Sequence, residues 1–376
     1  MSEPLTLSKT AGRGRQLVQI FLVNFCVLIG LYLLTETALH IISIDSNPLL
    51  AKTAFRIRDP VYDHTLKPKY DGFDIWGTRR ARVLTNSLGF RDSSTRDVPL
   101  MTDRKRVVFI GDSFTEGLGV DYQETFVGRF SSAFPDFDVL NAGFNSYSPS
   151  VYYEKLKYFL DLGLRFDEAI VYIDVSDIQD EAVNYSYNKR GVLQWAPFNM
   201  LPRQMKRWER MFYIADFLNQ VWQLQKWARN TRRATLQDLM RSNGIYSQNH
   251  TIASWTYDPT ASGYGSIGVE GGIQKAKQQM DRLYELLSGH RIPLSVGVYP
   301  WPQQLLYDSE NSQQVKIWRD WCAGKCKRFF NHFPVFFQYK DKDPDFVRNL
   351  FVWGDMHYNP HGHQILADDL IEQYRQ

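Results

Sequence analysis

Three polar residues far apart in the chain invite nucleophilic chemistry. Ser113 stands in VVFIGDSFTEGLG (107–119), after the apolar run Val107–Ile110 and the pair Gly111-Asp112. Such a run fits a buried parallel strand, and Gly111 breaks it. The carboxyl edge of an open α/β sheet is where ligands bind. A serine there presents its hydroxyl near the start of a helix, where unpaired N–H groups can face a developing negative charge. Serine alone is a poor nucleophile and needs a base, usually a histidine oriented by an acid. GDMHYNPHGHQILADDL (354–370) supplies both: Asp355 and His357 lie two apart, ahead of helical apolar spacing at Ile365, Leu366 and Leu370.

These two blocks resemble the SGNH/GDSL hydrolase superfamily. GDSFTEG is similar to its first block, and Asp355-x-His357-x-Asn359 followed by Gly362-His363 to its last. The resemblance covers roughly residues 86–183 and 290–376. It implies a Ser113–His357–Asp355 triad acting on esters without a cofactor. It also implies a flavodoxin-like three-layer α/β/α fold around a five-stranded parallel sheet. The family's oxyanion hole combines the nucleophile's N–H with a Gly from a second block and an Asn from a third. Here Ser146 in NAGFNSYS (141–148) stands at the Gly position, and Ser176 in YIDVSDIQDE (172–181) at the Asn position. The implied hole is therefore Ser113, Ser146 and Ser176, with Asn145 as a substitute donor. Serine offers one O–H donor and a shorter reach than an amide, and a lost donor typically costs roughly 100- to 1000-fold in turnover. The departures point to slow hydrolysis or to a specialised acyl transferase. Two histidines, His361 and His363, crowd His357. The Asn-Pro-x-Gly-His phrase assigns His363 a structural place at the start of the last helix, and no metal is expected. TNSLGFRD (85–92) is similar to a segment that precedes the first block in membrane-attached relatives. It reads as a turn packed on the sheet, with Arg91 as a substrate contact in the alternative.

The elements that must position these residues alternate along the chain. Strands are expected at 107–110, 136–143, 168–175, 292–300 and 334–339. Helices are expected at 122–134, 148–163, 271–290, largely over 315–333, and from about 360 to 374. Alternation at this spacing argues a parallel sheet with right-handed crossovers. Residues 184–265 interrupt it. Within them 203–242 read as a long basic and aromatic helical insertion carrying Trp208, Met211, Phe212, Phe217, Trp222 and Trp227. Three readings stay open: a cover on the domain, a helix on the membrane surface, or the wall of a cleft for a long anionic polymer.

The 376 residues allow one large domain or two small ones, and 44% hydrophobic content is ample for a core. A net charge of only +3 gives no reason to expect nucleic acid. Of the three cysteines, Cys322 and Cys326 could form a local disulfide; they lack a zinc pattern. Residues 1–15 are polar and basic, with Lys9, Arg13 and Arg15, and residues 16–35 carry no charge. Twenty residues at ~1.5 Å each span a bilayer. No small-x-small cleavage site follows, which favours an anchor over a cleaved signal. Positive charge on the N-terminal side keeps that end cytoplasmic. The expected organisation is a tail (1–15), an anchor (16–38), a lead-in (39–106) and a catalytic domain (107–376), facing the periplasm or the exterior.

Two functions of different class follow. One is a serine esterase or O-acyltransferase, acetyl by preference, working on cell-surface or exported polysaccharide. Resemblance to membrane-anchored members adds a multi-pass acyltransferase as a partner. The other is a catalytically weak module that binds glycan or scaffolds an envelope complex. A lipase-like activity is a third, weaker reading.

Overall fold

The computed structural model describes residues 8–42, 55–76, 79–195, 222, 225–226, 229, 231–241 and 244–376. At its centre is a parallel five-stranded sheet. In chain order its strands are β5 (Arg106–Ile110), β6 (Asp138–Asn141), β7 (Glu168–Tyr172), β10 (Leu294–Val298) and β11 (Arg328–Asn331). Their spatial order is β11-β10-β7-β5-β6, with every neighbouring pair parallel. The order reverses between β5 and β7, as in the flavodoxin-like arrangement, and that switch point is where ligands bind. Every residue of β5, β7 and β10 is buried. That follows from covering both faces with helices, and it explains their continuous apolar runs. Helix Phe126–Ala133 packs with Pro360–Arg375, and helix Pro149–Asp161 with Gly268–Gly289. The result is the three-layer α/β fold expected from the sequence.

One strand differs from expectation. PVFFQY (334–339) lies in a helix, Phe333–Lys342, and the fifth strand is Arg328–Asn331. Pro334 occupies the first helical turn, where its missing N–H costs nothing. Phe333 and Phe336 are the buried pair, three apart, which is helical spacing. The expected helix over 122–134 is a short 3₁₀ turn, Tyr122–Glu124, followed by the helix Phe126–Ala133.

The lead-in is structured. It forms two antiparallel hairpins, β1 (Arg56–Asp59) with β2 (Asp63–Leu66), and β3 (Asp71–Trp76) with β4 (Arg79–Leu84). After them Asn86 closes the TNSLGFRD turn, its Oδ1 accepting from the Leu88 and Phe90 amides and its Nδ2 donating to Asp92. Inside the interruption, β8 (Tyr185–Tyr187) and β9 (Leu193–Trp195) pair as a third hairpin. Trp208, Met211, Phe212, Phe217 and Trp227 lie outside the described residues; Trp222 is exposed. Cys322 and Cys326 are joined by a disulfide. At the N-terminus the helix Ser8–Ile42 contains a 23-residue stretch, Gln16–Ala38, of mean hydropathy 2.4, its apolar residues out of the core. It is long and apolar enough to cross a membrane, as an anchor or a signal sequence would be.

Candidate active site

Ser113 opens a single helical turn, Ser113–Glu116, directly after β5. Asp112 caps that turn, its Oδ1 accepting from the Phe114 amide at 3.0 Å. Glycine is required at 111: a Cβ there would sit 2.2 Å from Thr115 Oγ1 and 2.8 Å from the Tyr172 carbonyl. Behind the turn lies Arg91, only 1% exposed. Its guanidinium donates to the carbonyls of Glu116, Gly117 and Val120. Arg91 therefore binds the back of the serine turn and is not among the cavity residues.

From the far end of the chain, the loop after Phe351 carries Asp355 and His357. It is closed at its base, where the Val352 amide donates to the His357 carbonyl at 2.8 Å. Asn359 then caps the helix Pro360–Arg375 by accepting from the His361 and Gly362 amides. His357 Nε2 lies 2.8 Å from Ser113 Oγ, and His357 Nδ1 lies 2.5 Å from Asp355 Oδ1. The same carboxylate oxygen accepts the His357 amide at 2.9 Å. Two residues 244 positions apart thus share a hydrogen bond.

Part of the interruption grips this loop. The Gly354 amide donates to Tyr246 Oη, whose hydroxyl donates to the Asp355 carbonyl. The Trp353 indole N–H donates to the Thr231 carbonyl at 2.8 Å. Gly354 has φ +81°, and a Cβ there would lie 2.4 Å from Thr231 Cγ2. Only glycine accepts both the left-handed backbone and that contact.

Electrostatics separate the acids. Burial alone would raise Asp355. The His357 charge and the hydrogen bonds from His357, with a smaller contribution from the Trp76 side chain, outweigh it and hold the carboxyl below its usual range. An ionised Asp355 is what an orienting acid requires. Asp112 is the opposite case. Burial, then the nearby Asp174 charge, push it well above the ordinary carboxyl range. Asp174, fixed by the Trp301 indole N–H, is raised by burial too, and Asp177 by burial and by both neighbours. This matters because Asp112 Oδ2 lies 3.0 Å from Ser113 Oγ. A charged Asp112 would compete with His357 for the single hydroxyl proton. A protonated one donates to Ser113 Oγ and leaves that proton to the imidazole.

A cavity of about 220 Å³ opens over the serine, lined by Trp76, Ser113, Asn145, Ser146, Ser176, Gln179, Asp180, Asn184, Trp301, Met356 and His357 among others. All but Trp76 come from segments beyond the carboxyl ends of the sheet strands. Ser146 has φ +62°, the left-handed conformation that glycine adopts most easily. Tyr185 Oη donates to its carbonyl, and Glu116 Oε2 accepts from the preceding Asn145 amide. The amides of Ser113 and Ser146 donate to no other group among the described residues. Ser176 differs. Its amide donates to Asp174 Oδ1 at 2.8 Å and its side chain also bonds Asp174. It lines the wall with its donors already engaged. Asp180 and Asn184 begin and end a π-helical turn, and burial pushes the Asp180 carboxyl up to about 7.

Of the crowded histidines, His363 is buried, its Nδ1 accepting from the Phe126 amide, while His361 lies edge-on to Tyr339. Sequence reasoning missed two lead-in residues. Trp76, at the tip of β3, lies edge-on to His357 at 5.1 Å. His64 donates from Nε2 to the Asn145 carbonyl at 3.0 Å. The alternating pattern of DGFDIW and RRARVL flanking Gly77-Thr78 was the available hairpin signal.

No protein-family model matches the sequence, and no curated protein matches it. Solved structures similar to this chain include a member of the lipolytic G-D-S-L family from Veillonella parvula, at 10% identity and TM-score 0.38, covering 72% of this chain and 99% of that one. An acetylxylan esterase from Geobacillus stearothermophilus, solved as a catalytic mutant, is 12% identical at TM-score 0.38, covering 73% and 96%. The esterase EstA from Pseudoalteromonas is 7% identical at TM-score 0.36, covering 72% and 97%. Likeness this distant carries nothing about chemistry; the strand order of the chain itself is what makes it a flavodoxin-like α/β protein.

Proposed function

We propose that this chain is a serine esterase or O-acyltransferase that processes acyl esters, preferentially acetyl, on cell-surface or exported polysaccharide. The reading is carried by one observation: the unbroken contact chain Ser113–His357–Asp355, at 2.8 Å and 2.5 Å, facing a cavity. His357 takes the Ser113 proton as Oγ attacks the ester carbonyl. Asp355 stabilises the imidazolium that forms. The amides of Ser113 and Ser146 receive the oxyanion. His357 then protonates the departing alkoxide, leaving an acyl ester on Ser113. Water or a sugar hydroxyl, deprotonated by His357, attacks that ester and releases Ser113.

The helix Gln16–Ala38 serves as an uncleaved anchor, with Lys9, Arg13 and Arg15 on the cytoplasmic side and the domain outside. A multi-pass acyltransferase would be the partner that delivers acyl groups. A second reading, a glycan-binding or scaffold module, is favoured by Ser176, whose donors are spent on Asp174.

A fluorophosphonate probe separates the two. It should label the wild type and not Ser113→Ala. Ser113→Ala or His357→Ala should lower acetyl-ester turnover by roughly 10⁴- to 10⁶-fold. Turnover that survives both substitutions rejects the triad; a folded wild type that takes no label favours the binding module. Acetyl transfer to added glycan, read by mass spectrometry, decides between transfer and hydrolysis.

A further inference from the structure

A second concavity, of about 370 Å³, adjoins the Asp355 loop. Arg232, Arg233 and Leu236 line it from the interruption; Asp345, Arg348 and Trp353 line it from the segment leading into that loop. Three guanidinium groups face one carboxylate, so the pocket is positive. Arg232 and Arg233 are exposed, and none of the three arginines has an ion pair among the described residues. Arg348 is held in place, its guanidinium 3.8 Å from the centroid of the Trp353 ring. Trp353 is itself fixed by its bond to the Thr231 carbonyl. Trp353, one wall of the pocket, therefore belongs to the same closed loop as the Asp355–His357 pair, a loop whose ends meet at the Val352 to His357 bond. Trp353 and His357 are four residues apart, at most ~14 Å along the chain.

We infer that this pocket is a subsite for a carboxylate of an acidic glycan, a uronate polymer that carries the ester at Ser113 on another of its units. Guanidinium forks match carboxylate oxygens in pairs. Guanidinium groups without an ion-pair partner, one of them held against an indole ring, are ready for such an anion. A volume above 300 Å³ suits a small-molecule site. A polymer can engage the pocket and the serine together, which a free anion cannot. The inference rests on the proposed function only for calling the polymer a substrate.

The test is calorimetric binding of unesterified oligogalacturonate to the full-length protein in detergent, with neutral malto-oligosaccharide, inorganic phosphate and phosphatidylglycerol vesicles as comparisons. Oligogalacturonate should bind, with an affinity that falls as salt rises. Arg232→Gln with Arg233→Gln, two exposed positions, should weaken it tenfold or more at unchanged melting temperature; Arg348→Gln should weaken it independently. Equal affinity for the neutral oligosaccharide, indifference to the arginine substitutions, or binding of phosphate or vesicles as tight as that of oligouronate would overturn the inference. No ester is cleaved in this measurement, so it fails or succeeds separately from the triad.

Discussion

Asp112→Asn tests the electrostatic design beneath the serine. Asp112 Oδ1 accepts from the Phe114 amide and from Tyr299 Oη, each at 3.0 Å, and Oδ2 lies 3.0 Å from Ser113 Oγ. Burial and the Asp174 charge favour its neutral form. Asparagine reproduces that form: its oxygen keeps the Phe114 and Tyr299 bonds, and its NH₂ donates to Ser113 Oγ. Only an ionised Asp112 would be mimicked badly. A hydrogen bond to an ionised acceptor is stronger than one to a neutral acceptor by roughly 1 kcal/mol, or about fivefold in population. If wild-type Asp112 were partly ionised, its removal would free the hydroxyl proton for His357 by about that factor. The expected kcat/KM for an acetyl ester is therefore within about tenfold of wild type. Stability gives an independent readout. A carboxyl raised in the folded state keeps a proton that the unfolded chain releases near its usual pKa. The folded protein therefore loses stability as pH rises from about 4 through the raised value. Asp112→Asn should flatten that decline in thermal melts. A loss beyond a hundredfold in kcat/KM, in a protein that melts like wild type, would refute the reasoning and make the negative charge necessary.

Two further outcomes follow from the surroundings. Trp76→Phe keeps an aromatic ring against His357 and deletes the indole N–H that helps hold the Asp355 carboxyl low; kcat should fall about tenfold with KM unchanged. Asp355 becomes more basic and holds the imidazolium more tightly, so the acidic limb of the rate profile should move to higher pH; an unmoved limb rejects this positioning role. His363 is held down to about 3 by burial first and then by surrounding positive charge. The unfolded chain binds that proton near pH 6.5, so the stability is complete above that value and is lost as pH falls toward 3. The loss should reach roughly 4 kcal/mol by pH 3.5, and His363→Gln should flatten it in denaturant titrations.

The stretch from Val107 to Ser113 was readable because a strand buried on both faces leaves a continuous apolar run, and because Gly111 has no alternative. β7 and β10 were readable for the same reason. The fifth strand was not. Arg328-Phe329-Phe330-Asn331 is a four-residue edge strand with one buried residue, while Phe333 to Tyr339 is the more apolar run; local composition preferred the wrong segment. Asp355 and His357 were recognisable from their spacing and from Asn359 two positions on. The engagement of Ser176 with Asp174 was not, because that competition exists only once β7 and the following turn are folded. Trp76 and His64 escaped notice because nothing local reveals that hairpins preceding the sheet reach the carboxyl ends of its strands.

Those hairpins set where the working unit begins. A fragment starting at Arg106 would contain the whole sheet and all three residues of the contact chain, yet lack the ring beside His357 and the donor under the Asn145 carbonyl. The smallest portion worth expressing in isolation therefore starts at or before Phe55, and any shuffling of this domain onto another anchor should carry the preceding fifty residues with it.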